Sequence, residues 1–142
     1  MINEKITKII SYTLIVILVF ILDRISKISV LNLLDETGKL DIYVNSFLNL
    51  YLAWNKGVGF GLFSYNEKHI YDGITLLILI INLIILYLIF TEKTPKTYFL
   101  ATILGGSTGN LFDRYYYSAV PDFIDLNYNG YHWFIFNVAD IF

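Results

Sequence analysis

Three long apolar runs organise the chain. The first, IISYTLIVILVFIL at residues 9–22, ends against Asp23. Its 14 residues fall short of the ~20 that a membrane helix needs. The helix reaches that length by continuing through DRISKISVLNLL, which takes Asp23, Arg24 and Lys27 into it; the alternative is a helix that stops at Leu22 and leaves a solvated charged tail. Lys5 and Lys8 ahead of the apolar core also suit a signal-peptide opening, but no small-x-small cleavage site follows. The second run, GITLLILIINLIILYLIF at residues 73–90, is the clearest span, with Asn82 its strongest polar interruption. TEKTPK then makes a polar turn in which Pro95 opens the next helix. The third run, TYFLATILGGSTGNLF at residues 97–112, is shorter, and its GGSTG permits close helix packing. The remaining residues, 113–142, are aromatic and mixed and hold no complete span. Between the first two runs, DIYVNSFLNLYLAWNKGVGFGLFS alternates partially between apolar and polar residues and is rich in β-branched and aromatic types. That pattern predicts a short sheet or strand-like flap at the membrane interface, where Tyr and Trp are favoured. The expected fold is one mainly α membrane domain over residues 1–142: a bundle of three transmembrane helices with a small extracytoplasmic β element between helices 1 and 2.

Composition supports a membrane protein. The chain is 56% hydrophobic and only 15% charged, against about 25% charged in soluble domains, and its mean hydropathy is +0.60. A net charge of −2 offers no broad basic surface for nucleic acid. The absence of cysteine excludes a disulfide framework, a thiolate zinc site and a cysteine nucleophile. His69 and His132 stand too far apart for metal-ligand spacing, so no metal is expected. Lys5, Lys8, Lys93 and Lys96 crowd the N-terminus and the turn after the second run. Lys39, Lys56 and Lys68 are spread over a longer stretch. The positive-inside rule then puts the N-terminus in the cytoplasm and the long middle segment on the outer face.

Four stretches carry candidate chemistry. DRISK sets Asp23 and Lys27 four apart on one helix face, as a paired acid and base inside a span would be. WNKGVGFGLF lacks the lysine and hydroxyl spacing of a phosphate loop. It suits an interfacial turn, with glycines relieving backbone strain. Asn110, Asp113 and Arg114 close the third run. Asp113 and Arg114 point in different directions on a helix, so each needs its own partner unless this is an ordinary polar helix end. VPDFID and FNVAD bring Asp122, Asp125 and Asp140 into apolar surroundings. Such acids are either solvated at an interface or paired. In a pair, one carboxyl stays ionised and activates water while the other keeps its proton and polarises a carbonyl. A non-enzymatic membrane protein, such as a transporter subunit or assembly factor, is the rival reading; it would want polar residues near mid-span, where only Asn82 qualifies.

Taken in order, DRISK, NKGVGFG, GGSTGNLFDR, VPDF and FNVAD resemble lipoprotein signal peptidase, also called signal peptidase II, over nearly the whole chain. The resemblance implies an intramembrane aspartyl endopeptidase of the bacterial cell membrane, without a cofactor. It would remove the signal peptide of a prolipoprotein just before a cysteine bearing a diacylglyceryl group. It assigns the catalytic pair to Asp122 and Asp140, and supporting or substrate-binding roles to Asp23, Lys27, Asn55, Gly57, Asn110, Asp113, Arg114, Asn137 and Ala139. Arg114 and Asn55 would hold peptide carbonyls, Asn137 would orient a carboxylate from the same helix face as Asp140, and GFGLF would form a flap over the lipid chains. Asp125 falls outside the pattern and is expected to be a solvated or structural acid. The partners implied are the lipidated substrate and membrane lipid, with a monomer favoured and the active site near the outer face. Two departures stand out. Gly59 occupies a position generally held by alanine, and the family has four spans, the fourth opened by FNxAD, whereas only Ile141 and Phe142 follow Asp140 here. A truncated, poorly active form is therefore expected.

Overall fold

The computed structural model describes residues 2–57, 68–92 and 94–142. The first apolar run does not stop at Leu22. It continues through DRISK as α1, Ile2–Thr37, whose 36 residues extend about 54 Å at ~1.5 Å each. Gly38 ends it in the left-handed region at φ 76°, and its N–H donates back to the Leu34 carbonyl at 2.8 Å. The second and third runs form α2, Lys68–Thr91, and α3, Lys96–Tyr117, with Pro95 at the N-terminal boundary of α3. Three long helices match the sequence pattern. Among the described residues, only α2 is long and apolar enough throughout to cross a membrane on those grounds alone; α1 carries charged residues within its length, and α3 carries charged residues and three glycines.

The helix α3 packs against both α1 and α2, and Tyr12, Ile89, Ala101 and Leu104 form the apolar core where the three meet. The GGSTG stripe sets how closely they meet. A Cβ on Gly105 would come within 2.8 Å of Val19 on α1, and one on Gly109 within 2.5 Å of the Asp23 carboxylate. Asn82 lies on α2 as a buried residue, and neither polar atom of its side chain has a partner among the described residues.

The β element corrects the sequence expectation. It is a four-stranded antiparallel sheet in the order β1-β2-β3-β4, and only half of it lies between the first two helices. β1, Asp41–Asn45, and β2, Leu48–Asn55, come from that segment. β3, Val120–Tyr128, and β4, Tyr131–Phe136, come from the mixed stretch after α3. The cause is the turn between them: Asn129 and Gly130 both take positive φ, 51° and 80°. That is the geometry of a tight hairpin whose backbone twist matches its strands. The C-terminal part of α1 lies against the sheet through Val30, which packs with Leu40 and Phe123. After β4 the chain makes a 3-10 turn, Val138–Ile141, instead of the helical face expected to unite Asn137 with Asp140. The glycine-rich stretch beyond Gly57, read as a flap, lies outside the described residues.

Candidate active site

The two acids separated by 17 intervening residues come together because the β3–β4 hairpin folds back. β3 carries Asp122, and the turn after β4 carries Asp140. Both line one cavity of about 290 Å³, along with Asn55, Asn110, Arg114 and Asn137. Asp122 is deeply buried, at 3% exposure. Asp140 lies at the open side of the cavity and keeps solvent contact.

Each carboxyl accepts two N–H donors. Asp122 receives the side-chain amides of Asn137 at 2.6 Å and Asn55 at 2.9 Å. Asp140 receives the Asn110 amide at 2.9 Å and the Asn137 backbone N–H at 3.0 Å. Asn137 thus holds both acids, one through its side chain and the other through its main chain. It also caps the 3-10 turn, and Asp140 bonds back to it in a capping box. The three asparagines are held in orientation as well. The oxygen of each side-chain amide faces a donor: Lys27 Nζ at 2.7 Å for Asn110, the Gly57 N–H at 2.8 Å for Asn55, and the Ala139 N–H at 2.8 Å for Asn137. Lys27 cannot accept a hydrogen bond. Asn110 must therefore turn its NH2 away from it and toward Asp140.

Behind the asparagines lies a buried charge cluster that joins α1 to α3. Lys27 Nζ stands 2.8 Å from Asp23 and 2.7 Å from Asp113, and all three side chains are fully buried. Arg24 approaches Asp23 at 3.1 Å and Asp113 at 2.6 Å. Its guanidinium also lies 5.0 Å from the centre of the Phe112 ring. Two cations balance two anions, as buried charges require. Asp23 reaches forward too, accepting the Ala139 N–H at 3.2 Å. Gly106 gives the turn that carries Asp140 its room: a Cβ there would stand 2.5 Å from the Ala139 carbonyl oxygen.

Arg114 points away from this cluster, as its position next to Asp113 required. Its guanidinium donates to the Gly57 carbonyl and lies over the Tyr71 ring, 5.4 Å from its centre, while the Tyr71 hydroxyl donates to the Arg114 carbonyl at 2.9 Å. Nε and Nη1 of Arg114 are buried and have no partner among the described residues.

Desolvation dominates the acids. Burial pushes Asp122 up to about 6, against the downward pull of the Asn137 and Asn55 amides, and the Asp140 carboxyl adds to the rise. Asp140 is raised for the same first reason, although the Asn137 N–H, the Asn110 amide and Lys27 oppose it. No cluster of three or more His, Asp and Glu side chains suited to a metal occurs among the described residues.

All of the site residues expected from the sequence fall in the charge cluster, around the two acids or at Arg114, so the expected set gathers at one place. Arg24 and Tyr71 were not anticipated. Arg24 was legible in principle: Asp23 and Asp113 around Lys27 alone would leave one buried negative charge, and DRISK supplies the missing cation.

Comparison with known proteins identifies the family. The family model described as Signal peptidase (SPase) II matches residues 15–142. A lipoprotein signal peptidase of Pelagibacter ubique (strain HTCC1062) is 50% identical over 128 residues, which cover 90% of this chain and 77% of the relative. That of Anaplasma phagocytophilum (strain HZ) is 41% identical over 127 residues, 87% of this chain and 78% of the relative. A solved bacterial membrane enzyme, determined by the in meso method at 2.3 Å resolution, superposes with a TM-score of 0.74 at 28% identity, covering 92% of this chain and 79% of its own. The non-enzymatic reading falls with these matches. The chain belongs to the signal peptidase II family, the membrane proteases that remove signal peptides from bacterial prolipoproteins.

Proposed function

We propose that Asp122 and Asp140 are the catalytic pair of this peptidase, and that they cleave a prolipoprotein immediately before its diacylglyceryl-modified cysteine. The observation that carries this reading is the single cavity onto which both carboxyls open, each steadied by two N–H donors. The pair holds one proton. The ionised carboxyl takes a proton from water as the water oxygen attacks the scissile carbonyl carbon, and the protonated carboxyl gives its proton to the carbonyl oxygen. Collapse of the tetrahedral intermediate breaks the C–N bond and delivers a proton to the leaving nitrogen. The products are the signal-peptide carboxyl and the free amine of the lipidated cysteine. The asparagine donors keep the two carboxyls aimed at a substrate without themselves reacting. Asn55, engaged with Asp122 and Gly57, acts beside the acid. Arg114, whose Nε and Nη1 have no partner among the described residues, lines the cavity, and its guanidinium is suited to a substrate carbonyl there.

The proposed setting is a bacterial cell membrane crossed by all three helices, with a monomeric chain surrounded by lipid. Leu14, Leu18 and Ile25 of α1 and Leu77, Leu83 and Ile84 of α2 are exposed and suited to acyl chains. Lys8 at the start of α1 and Lys96 at the start of α3 mark the cytoplasmic end, which puts the sheet and the cavity at the outer face.

The test uses a diacylglyceryl-modified prolipoprotein with the enzyme in lipid. Asp122→Asn and Asp140→Asn should each reduce cleavage by about 10³-fold or more, because neither carboxyl can replace the other, while both proteins remain in the membrane at normal abundance. Near-normal turnover by either variant would overturn the pair.

A further inference from the structure

Asp125 has no place in the chemistry above, yet it is only 6% exposed. It lies on β3 three residues beyond Asp122, and alternation along a strand turns it to the other face of the sheet. Both of its carboxylate oxygens face Nδ1 of His132 on β4, at 3.0 and 2.9 Å, and Asn49 of β2 donates its side-chain amide to it at 3.2 Å. One buried carboxylate therefore ties together three neighbouring strands.

The place of this tie is informative. Asn49 pairs directly with Asp125, but between Leu50 and Ala53 the β2 register shifts by one residue. Asp125 pairs with Ile135, but between Ile135 and His132 the β4 register shifts in the same way. Asp125 thus lies between two bulges, and the His132 contact reaches across the second of them. At each bulge one strand carries an extra residue, so the register differs by one on its two sides, and a slip of one residue reverses which face each side chain occupies. The strands concerned carry the donors to Asp122: Asn55 ends β2, and Asn137 follows β4 directly. A slip in either would take an amide away from the acid.

We infer that Asp125, His132 and Asn49 form a register clamp whose role is to keep Asn55 and Asn137 aligned on Asp122. Asp125 and His132 are positioning residues of the peptidase, acting through the asparagines from the opposite face of the sheet. The inference rests on the assignment of Asp122 to the catalytic pair.

The test compares Asp125→Ala, His132→Phe, His132→Arg and the double variant Asp125→Ala/His132→Ala with the unaltered chain and with Asp122→Asn, all in lipid. The histidine is more than half exposed, so its replacement leaves little packing to lose. Asp125→Ala and His132→Phe should lower kcat about tenfold or more, because small misplacements in a reacting array cost that much, with KM within about twofold. His132→Arg restores an N–H donor to Asp125 and should recover most of kcat. The double variant should be no worse than Asp125→Ala, since both changes break one contact. The clamp is overturned if Asp125→Ala turns over normally while Asp122→Asn is inactive. It is also overturned if the losses follow only the folded fraction and His132→Arg does no better than His132→Phe. Activity in Asp122→Asn would instead overturn the catalytic pair.

Discussion

Asp122 accepts two amide N–H groups, which favour its ionised form, yet its pKa rises to about 6 because loss of water outweighs them. This has a consequence for stability. The ordinary value is 3.8, so between there and about 6 the folded chain holds this proton more tightly than the unfolded chain does. The resulting stability is fully present below pH 4 and is lost as pH rises through 6. The shift of about two pH units is worth about 3 kcal/mol, and Asp140 shifts in the same direction. Thermal unfolding in detergent should therefore show a melting temperature that falls between pH 4 and pH 6.5. Asp122→Asn should flatten that slope. The slope is the diagnostic quantity, because an asparagine NH2 at this position would face one of its own donors and lower stability at every pH. An equal slope in the two proteins would show that Asp122 does not titrate in this range. The identity of these residues was readable before the fold was known: ordered blocks singled out both acids, the three asparagines and the Asp23–Lys27 pair. Their geometry was not readable. Nothing in the spacing of Asn137 and Asp140 distinguishes a helix from a cap on a 3-10 turn, and only the position of Lys27 fixes which end of the Asn110 amide meets Asp140.

At the scale of elements, α3 works through what it lacks. Gly106 and Gly109 leave room for the Ala139 carbonyl and the Asp23 carboxylate, each of which would stand 2.5 Å from an added Cβ. Gly106→Ala should push the catalytic turn outward and carry Asp140 away from Asn110. Gly109→Ala should displace Asp23 from Lys27 and from the Ala139 N–H. Each should reduce kcat about tenfold or more. Gly73→Ala on α2, where an added Cβ meets nothing within 4 Å among the described residues, should leave activity unchanged. Cleavage rates of the three variants check this, and equal rates would mean that the close approach is not needed. Small residues in GGSTG signal close packing from sequence alone, although not what packs there. The β element was only half legible. Partial alternation marked β1 and β2, but aromatic density concealed β3 and β4. The overlooked signal was Asn129–Gly130, a tight-turn dipeptide between two apolar stretches. It brings Asp140 back to Asp122.

The whole molecule is polar at one end and apolar along its length. The cavity, the charge cluster and the sheet gather where α1 leaves its apolar run and α3 ends. The opposite end has Lys8 and Lys96 near the helix starts. In the proposed membrane setting, helix length makes this asymmetry possible: α1 at about 54 Å exceeds a hydrocarbon core of ~30 Å, long enough for its charged half to stand near one surface with its first half in lipid. The cluster is tolerable there because Asp23, Arg24, Lys27 and Asp113 neutralise one another. Charged residues within α1 and α3 lower their hydropathy, which is why, among the described residues, hydropathy singles out only α2. The proposed orientation follows from the lysines and can be checked directly, because the chain has no cysteine to confuse labelling. Glu36 near the end of α1 and Glu92 after α2 are both exposed and lie at opposite ends. Replacing either by cysteine leaves the Lys and Arg count unchanged, and acidic residues contribute little to orientation. In intact spheroplasts, a membrane-impermeant maleimide should modify Glu36→Cys readily. Glu92→Cys should react only after the membrane is opened. The reverse pattern would place the cavity on the cytoplasmic side and refute the orientation. Labelling of both in intact spheroplasts would mean that α2 does not cross.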